Sequence, residues 1–188
     1  MSSRTAFLMM VVAARLLAQD QEPTVVFGTT VVIPTGLEGK IYHLRYETDR
    51  LPNFRKMKAV GTIYTTSLNI PTQSFTVGFP GVRKLFEWFA IDYAGRFWAE
   101  KQGYYDFSLT SDDGANLYID GELVVDNDGI HPTRERTGSI RLSHGAHDIR
   151  VAYFQGPGVE LALVLKVAPP GEALRIFSTD ELKPPPSP

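Results

Sequence analysis

The stretch Gly103-Tyr104-Tyr105-Asp106-Phe107-Ser108-Leu109-Thr110-Ser111-Asp112-Asp113-Gly114 sets the fold class. Tyr105, Phe107 and Leu109 alternate with Asp106, Ser108 and Thr110. Successive side chains on extended backbone point to opposite sides, so a period of two with one apolar face predicts a half-buried antiparallel strand. The alternation returns downstream. Ile149, Val151 and Tyr153 alternate with Arg150, Ala152 and Phe154. Leu161, Leu163, Leu165 and Val167 alternate with Glu160, Ala162, Val164 and Lys166. Glycine-bearing turns punctuate these runs at Asp113-Gly114, Asp120-Gly121, Asp128-Gly129, His144-Gly145 and Gly156-Pro157-Gly158. Short strands between such turns predict an all-β chain: a single antiparallel β-sandwich or barrel domain. Upstream, Phe86 to Trp98 is aromatic and apolar on both faces and predicts a strand in the middle of the core. Helix is scarce, with one turn expected at Pro52 to Met57.

The predicted domain runs from Gly36 to Leu182. Before it, Arg4 leads an apolar run from Thr5 to Ala14, and Leu16-Leu17-Ala18 follows Arg15. A basic start, about ten apolar residues and small residues ahead of a polar stretch are the pattern of a secretory signal peptide. The run is shorter than the about 20 apolar residues that span a bilayer. Residues 1–18 are therefore expected to be a signal peptide, cleaved after Ala18 or Ala14. The mature chain is expected to be extracytoplasmic (secreted or periplasmic), without a transmembrane segment. Residues 19–35 read as a linker or an N-terminal strand, since Thr24 to Ile33 is β-branched and Pro34-Thr35-Gly36 breaks it. Residues 183–188 form a proline-rich tail, which cannot enter a helix or a ladder.

The chain has 188 residues, 43% hydrophobic and 21% charged, which excludes bulk disorder. Acidic residues outnumber basic ones 21 to 19, a net charge of −2, so no basic excess exists to follow a phosphate backbone and no nucleic-acid partner is expected. With no cysteine, disulfides, thiolate zinc sites and cysteine nucleophiles are excluded.

The densest polar signal runs from Ser111-Asp112-Asp113-Gly114 through Asp120-Gly121 to Asp126-Asn127-Asp128-Gly129-Ile130-His131. Loops rich in oxygen suit a hard cation such as calcium, which takes 6–8 oxygen ligands. Adjacent side chains on a regular strand diverge, so Asp112 and Asp113 meet on one ion only if the chain bends sharply or the peptide between them is cis. Otherwise Asp112-Asp113-Gly114 is a turn, with an aspartate bonding backbone amides. Asp126-x-Asp128-Gly129 lacks the further ligands of a helix-loop-helix calcium loop and reads as a turn between strands or as a neighbour of the Asp pair. His131 is positioned to hydrogen-bond an aspartate. His144 and His147, three apart around a predicted turn, read as structural. No G-x-S-x-G elbow, Walker loop or dinucleotide fingerprint occurs, so no enzymatic activity is expected.

The run from Gly103 to Gly114, with Leu117-Tyr118-Ile119-Asp120-Gly121 and Val125 to His131, resembles the PA-fourteen (protective-antigen fourteen-kilodalton) domain family. Leu142-Ser143-His144-Gly145-Ala146-His147-Asp148-Ile149-Arg150-Val151-Ala152-Tyr153-Phe154 extends the resemblance. Gly36 to Tyr42, Asn53-Phe54 and Gly78-Phe79-Pro80-Gly81 look like the family's opening and middle. The resemblance implies a β-sandwich found in secreted glycosidases, adhesins and toxins. It further implies that Asp112 and Asp113, joined by a cis peptide, hold calcium as in the sugar-binding adhesins, with sugar hydroxyls completing the ion's shell. An asparagine that ligates calcium in those adhesins corresponds to Gln155, which carries the same amide on a longer stem. The loop Gly156-Pro157-Gly158 is shorter than its adhesin counterpart.

The leading expectation is a non-catalytic extracytoplasmic module that binds carbohydrate (a glycan or a cell-envelope polysaccharide) through calcium at Asp112 and Asp113. Gln155, Asp126, Asn127, Asp128 and His131 would edge that site. The alternative is a structural or protein-interaction domain whose partner is an envelope protein.

Overall fold

The computed structural model describes residues 36–82 and 87–184. The expected signal peptide, the 19–35 segment and residues 185–188 lie outside the described residues.

Among the described residues eleven strands follow in chain order: β1 Leu37–His43, β2 Gly61–Thr65, β3 Asn69–Ser74, β4 Phe89–Ala99, β5 Gly103–Asp112, β6 Ala115–Ile119, β7 Glu122–Asn127, β8 Arg134–Leu142, β9 Gly145–Gln155, β10 Glu160–Ala168 and β11 Arg175–Ile176. One sheet has the order β2-β1-β4-β9-β6-β7. The other runs β11-β10-β5-β8, with β3 also paired to β10. Every pairing is antiparallel. The two sheets remain separate, so the fold is a sandwich and the barrel alternative is set aside.

The apolar face of β5 is buried as its sequence predicts, but on the opposite face Ser108 is buried as well, its hydroxyl bonded to Glu135. Tyr105, Phe107 and Leu109 are buried between the sheets, while Tyr104 is exposed. They share one core with Ile91 and Phe97 of β4, Val151 and Tyr153 of β9, and Leu163 of β10. Phe97 sets its edge against Phe107 and Phe177 at 6.4 and 5.6 Å. Burying each such side chain contributes about 1.5–3 kcal/mol, enough to fix which face of each strand turns inward.

Phe86 to Trp98 departs from its reading as a strand apolar on both faces. The strand begins at Phe89. Its inner face carries Phe89, Ile91, Tyr93 and Phe97, but the outer face carries Asp92, Ala94 and Arg96. Ala90 is the outward residue that is fully buried. It lies in a second, smaller core with Tyr42, Phe54, Ala152 and Phe154, partly covered by Leu44, Leu51, Met57 and Ala59. The one predicted helical turn is a 3-10 turn at Phe54–Lys56, whose Asn53 side chain accepts the Arg55 N–H at 3.2 Å. It presses Phe54 onto Tyr42 with centroids 5.0 Å apart. The 44–59 segment thus covers one part of the six-stranded sheet's outer face.

Candidate functional site

The chain leaves the five-stranded sheet at Asp112 and enters the six-stranded sheet at Ala115. Asp112-Asp113-Gly114 is therefore the crossing corner. The start of β10, the end of β7 and the end of β9 lie at the same end of the sandwich, since Asp112 pairs near Ala162, Ala115 pairs with Asn127, and Ala115 pairs with Tyr153. The peptide between Asp112 and Asp113 is cis.

Both aspartates are buried, 6% and 2% exposed. Asp113 is held by backbone donors. Its Oδ1 accepts the His131 N–H at 3.1 Å, and its Oδ2 accepts the Gly156 N–H at 2.8 Å and Gln155 Nε2 at 3.3 Å. The Asp112 carboxylate is held by Thr133 alone among the described residues: its Oδ2 accepts the Thr133 hydroxyl at 3.3 Å, and the Thr133 backbone also bonds it. Its carbonyl accepts the Tyr153 hydroxyl at 2.8 Å. Two short loops, 128–133 and 156–159, therefore brace the pair from both sides.

The electrostatics follow from this crowding. Burial, then the neighbouring Asp113 charge, push the Asp112 carboxyl up to about 6, with a smaller push from Glu160. Burial also raises Asp113, against the lowering pull of the Gly156 and His131 N–H groups. Burial, with the two carboxylates beside it, holds the Tyr153 phenol well above its ordinary range. Nearby, the hydroxyl of the fully buried Tyr93 has no hydrogen-bond partner among the described residues.

Gln155 is fully buried and reaches the pair. Its Nε2 also donates to the Glu160 carbonyl at 3.3 Å, and its Oε1 meets the Tyr153 hydroxyl. The Tyr153 hydroxyl thus faces two acceptors with a single proton. Turning this amide over gives Tyr153 a donor and leaves its own proton to the Asp112 carbonyl. It also sets Gln155 Oε1 beside Asp113 Oδ2 and the Glu160 carbonyl, three oxygens with no proton between them. Such a cluster is stable around a cation.

The remaining expected site residues hold the frame. Asn127 is fully buried, and its amide bonds Ser111 Oγ at 2.8 Å, the Arg134 carbonyl at 3.1 Å and Arg134 Nε at 2.7 Å. That ties β7 to β5 and β8. Asp128 Oδ1 accepts the N–H groups of Leu51 and Gly129, both at 2.8 Å, which anchors the 44–59 segment. Asp126 is exposed and accepts the Asp128 N–H at 3.1 Å. The Asp126 to Asp128 stretch is not one turn, because β7 continues to Asn127 and the turn starts at Asp128. His131 reaches Asp113 through its backbone, while its ring nitrogens bond the carbonyls of Pro132 and Asn127, both at 2.9 Å. Thr133, the Gly156 N–H and the Tyr153 hydroxyl are missed by reading the sequence. All three lie in or beside the quoted motifs: Thr133 two residues past His131, Gly156 at the head of Gly156-Pro157-Gly158, and Tyr153 in the β9 run.

The two histidines of the 144–147 run do not converge. His147 is buried, with Nδ1 on Asp120 Oδ2 at 2.6 Å and Nε2 on the Ser143 carbonyl at 2.9 Å. Burial opposes its charge, but the Asp120 and Ser143 partners raise it above the ordinary imidazole value. His144 is exposed and sets its ring edge against Trp98.

Two antiparallel sheets with a loop-framed polar corner at one end define the class: a β-sandwich domain carrying a candidate ligand site. The chain belongs to the PA14 domain family, whose model matches residues 83–180. It is similar to the probable β-glucosidase H of Emericella nidulans, 29% identical over 132 residues, 65% of this chain and 15% of that protein. It is also similar to the probable β-glucosidase I of Aspergillus clavatus, 54% identical over 39 residues, 21% of this chain and 5% of that protein. The chain thus spans a small part of the curated relatives it matches. Among solved structures it resembles a PA14 sugar-binding domain from an RTX adhesin, with a TM-score of 0.62 and 19% identity over 77% of this chain and 96% of that one. It resembles the epithelial adhesin 9 A domain of Candida glabrata, solved with Galβ1-4GlcNAc, with a TM-score of 0.55 and 15% identity over 80% of this chain and 90% of that one. These structural likenesses show a shared sandwich. No helix among the described residues is long and apolar enough to cross a membrane.

Proposed function

We propose that this chain is a non-catalytic, extracytoplasmic carbohydrate-binding module that holds calcium between Asp112 and Asp113. The observation that carries this reading is the pair itself: two adjacent carboxylates, both buried and both held by the 128–133 loop, Asp113 also by the Gly156 N–H. Two like charges out of water repel and lose hydration. A divalent cation reverses both costs. Asp112 is the better-placed ligand, since its carboxylate is less committed to N–H donors than that of Asp113. Gln155, with its amide turned over, adds a neutral oxygen. Calcium supplies a centre on which vicinal sugar hydroxyls replace water, because its 6–8 positions exceed what these side chains fill. The description of the similar RTX adhesin domain as sugar-binding supports the ligand class. The expected signal peptide supports the location, and a glycan or envelope polysaccharide is the partner.

A glycan array tests this directly. Binding is expected in calcium, and it should fall at least about tenfold in EDTA or in the Asp112→Asn/Asp113→Asn double variant, a loss of about 1.4 kcal/mol or more. Glycan binding that ignored both changes would contradict the mechanism. If no glycan bound, the loops' exposed Ile130 and Val159 would favour the protein-interaction reading of this end.

A further inference from the structure

The outer face of the six-stranded sheet carries a groove well apart in character from the aspartate corner. Two adjoining depressions of about 470 and 880 Å³ share Asp92, Ala94, Gly95 and Asp148. The register explains the shape. Lys40, Asp92, Ala152 and Asn116 stand in one row across β1, β4, β9 and β6. Glu38, Ala94, Arg150 and Tyr118 stand in the next. Ala94, exposed in the middle of the second row, leaves a trough, while Ala152 in the first row is buried under the 44–59 segment, whose Leu51 to Arg55 part walls one side. Three interstrand steps of about 4.8 Å make the trough about 14 Å long, room for a short oligosaccharide.

Its chemistry is balanced. Arg150 Nε bonds Asp92 Oδ1 at 2.6 Å, Arg96 Nε bonds Asp148 Oδ1 at 2.7 Å, and Lys40 lies 3.5 Å from Glu38. With Arg55 and Asp128 on the wall, four cations and four carboxylates line the trough, three of each in these pairs, so it has no net charge to attract a polyanion or a polycation. Each pair still offers donors and acceptors. The Arg150 guanidinium is fixed over the rings of Tyr118 and Phe54, at 5.0 and 5.5 Å to their centroids. Its Nη groups have no hydrogen-bond partner among the described residues. Paired donors and acceptors around a small-residue floor, with Arg150 held in place by Asp92 and two rings, match a ligand that carries many hydroxyls and no charge.

We infer that this trough is a second, calcium-independent site for a neutral oligosaccharide. It rests on none of the Asp112 and Asp113 chemistry, and a chain with two glycan sites on different faces can bridge two saccharide strands.

The experiment is backbone-amide NMR of the whole chain in EDTA, titrated with neutral gluco-, galacto- and manno-oligosaccharides of about three to six residues and with oligouronates as the acidic comparison. At least one neutral series is expected to shift the amides of Ala94, Arg150 and Asn116 saturably. Ala94→Trp fills the trough from an exposed position without touching the core, and it should weaken that binding at least tenfold. Asp112→Asn should leave it unchanged, which separates this site from the calcium site. Three results would overturn the inference: no saturable shift with any neutral series at millimolar concentration, shifts with oligouronates alone, or binding that survives Ala94→Trp in a variant with an unaltered spectrum elsewhere.

Discussion

Gly114→Ala is expected to lower the unfolding midpoint by about 2–12 °C. Gly114 closes the aspartate corner, and a Cβ there would lie 2.4 Å from Phe154 Cε1, 2.8 Å from the Gly129 nitrogen and 3.0 Å from Asp128 Oδ1. None of these can yield freely. Phe154 is fully buried in the smaller core, and its own N–H donates to the Gly114 carbonyl at 2.9 Å. Gly129 is tied to Asp128, which also holds Leu51. Forcing one carbon into so tight a site costs about 1–3 kcal/mol, and each kilocalorie moves the midpoint by about 2–4 °C at this chain length. Gly61→Ala is the control, because its Cβ would meet only Ile41 Cδ1 at an ordinary 3.5 Å. Circular dichroism melts of the two variants should differ clearly. Equal midpoints would mean that the corner is not packed as described.

Asp112→Asn is expected to stabilise the calcium-free protein at neutral pH. Folding raises the Asp112 carboxyl from 3.8 to about 6, so the folded state binds this proton more tightly than the unfolded state. The stability linked to it is present below about 3.8 and is lost as pH rises through about 6. Above that range the ionised carboxylate costs the fold on the order of 2 kcal/mol, which the neutral amide avoids. In EDTA the variant should melt a few degrees above the parent at pH 7.5 and level with it at pH 4. Asp113 and His147 also shift upward and add to the same decline with pH, but they are common to both proteins. A variant less stable than the parent in EDTA at pH 7.5 would show that the Asp112 charge is already compensated without calcium.

Much of this architecture was legible in the order of the residues. The alternation through Tyr105, Phe107 and Leu109 depends only on strand geometry, and all three are buried as that geometry requires. The outer face of β9 was not legible in the same way. Ala152 and Phe154 occupy positions that alternation assigns to solvent, yet both are buried. Their cover is the 44–59 segment, and no local pattern near residue 150 announces a segment from so far upstream. The same holds for β4, where the cover ends and Asp92 and Arg96 line the trough. At the corner, the aspartates stand out as adjacent acids. Asp113's main partners are backbone N–H groups of His131 and Gly156, which every residue except proline carries and which leave no side-chain signature. The strand reaching into Asp126-Asn127 was hidden too, because Asn127 is a polar residue buried by its hydrogen bonds rather than by apolar character.

The central claim is the calcium site, and thermal unfolding tests it most directly. The chain is melted in EDTA and then across a calcium titration at pH 7.5, beside Asp112→Asn. A ligand that binds only the folded state adds about 2.7 kcal/mol at a hundredfold excess over its dissociation constant. The expected result is a saturable rise of several degrees with calcium that is lost in Asp112→Asn and weakens below about pH 6, where protons compete for Asp112. An unchanged midpoint up to millimolar calcium would contradict the account and leave the aspartate pair as the chemistry of a corner.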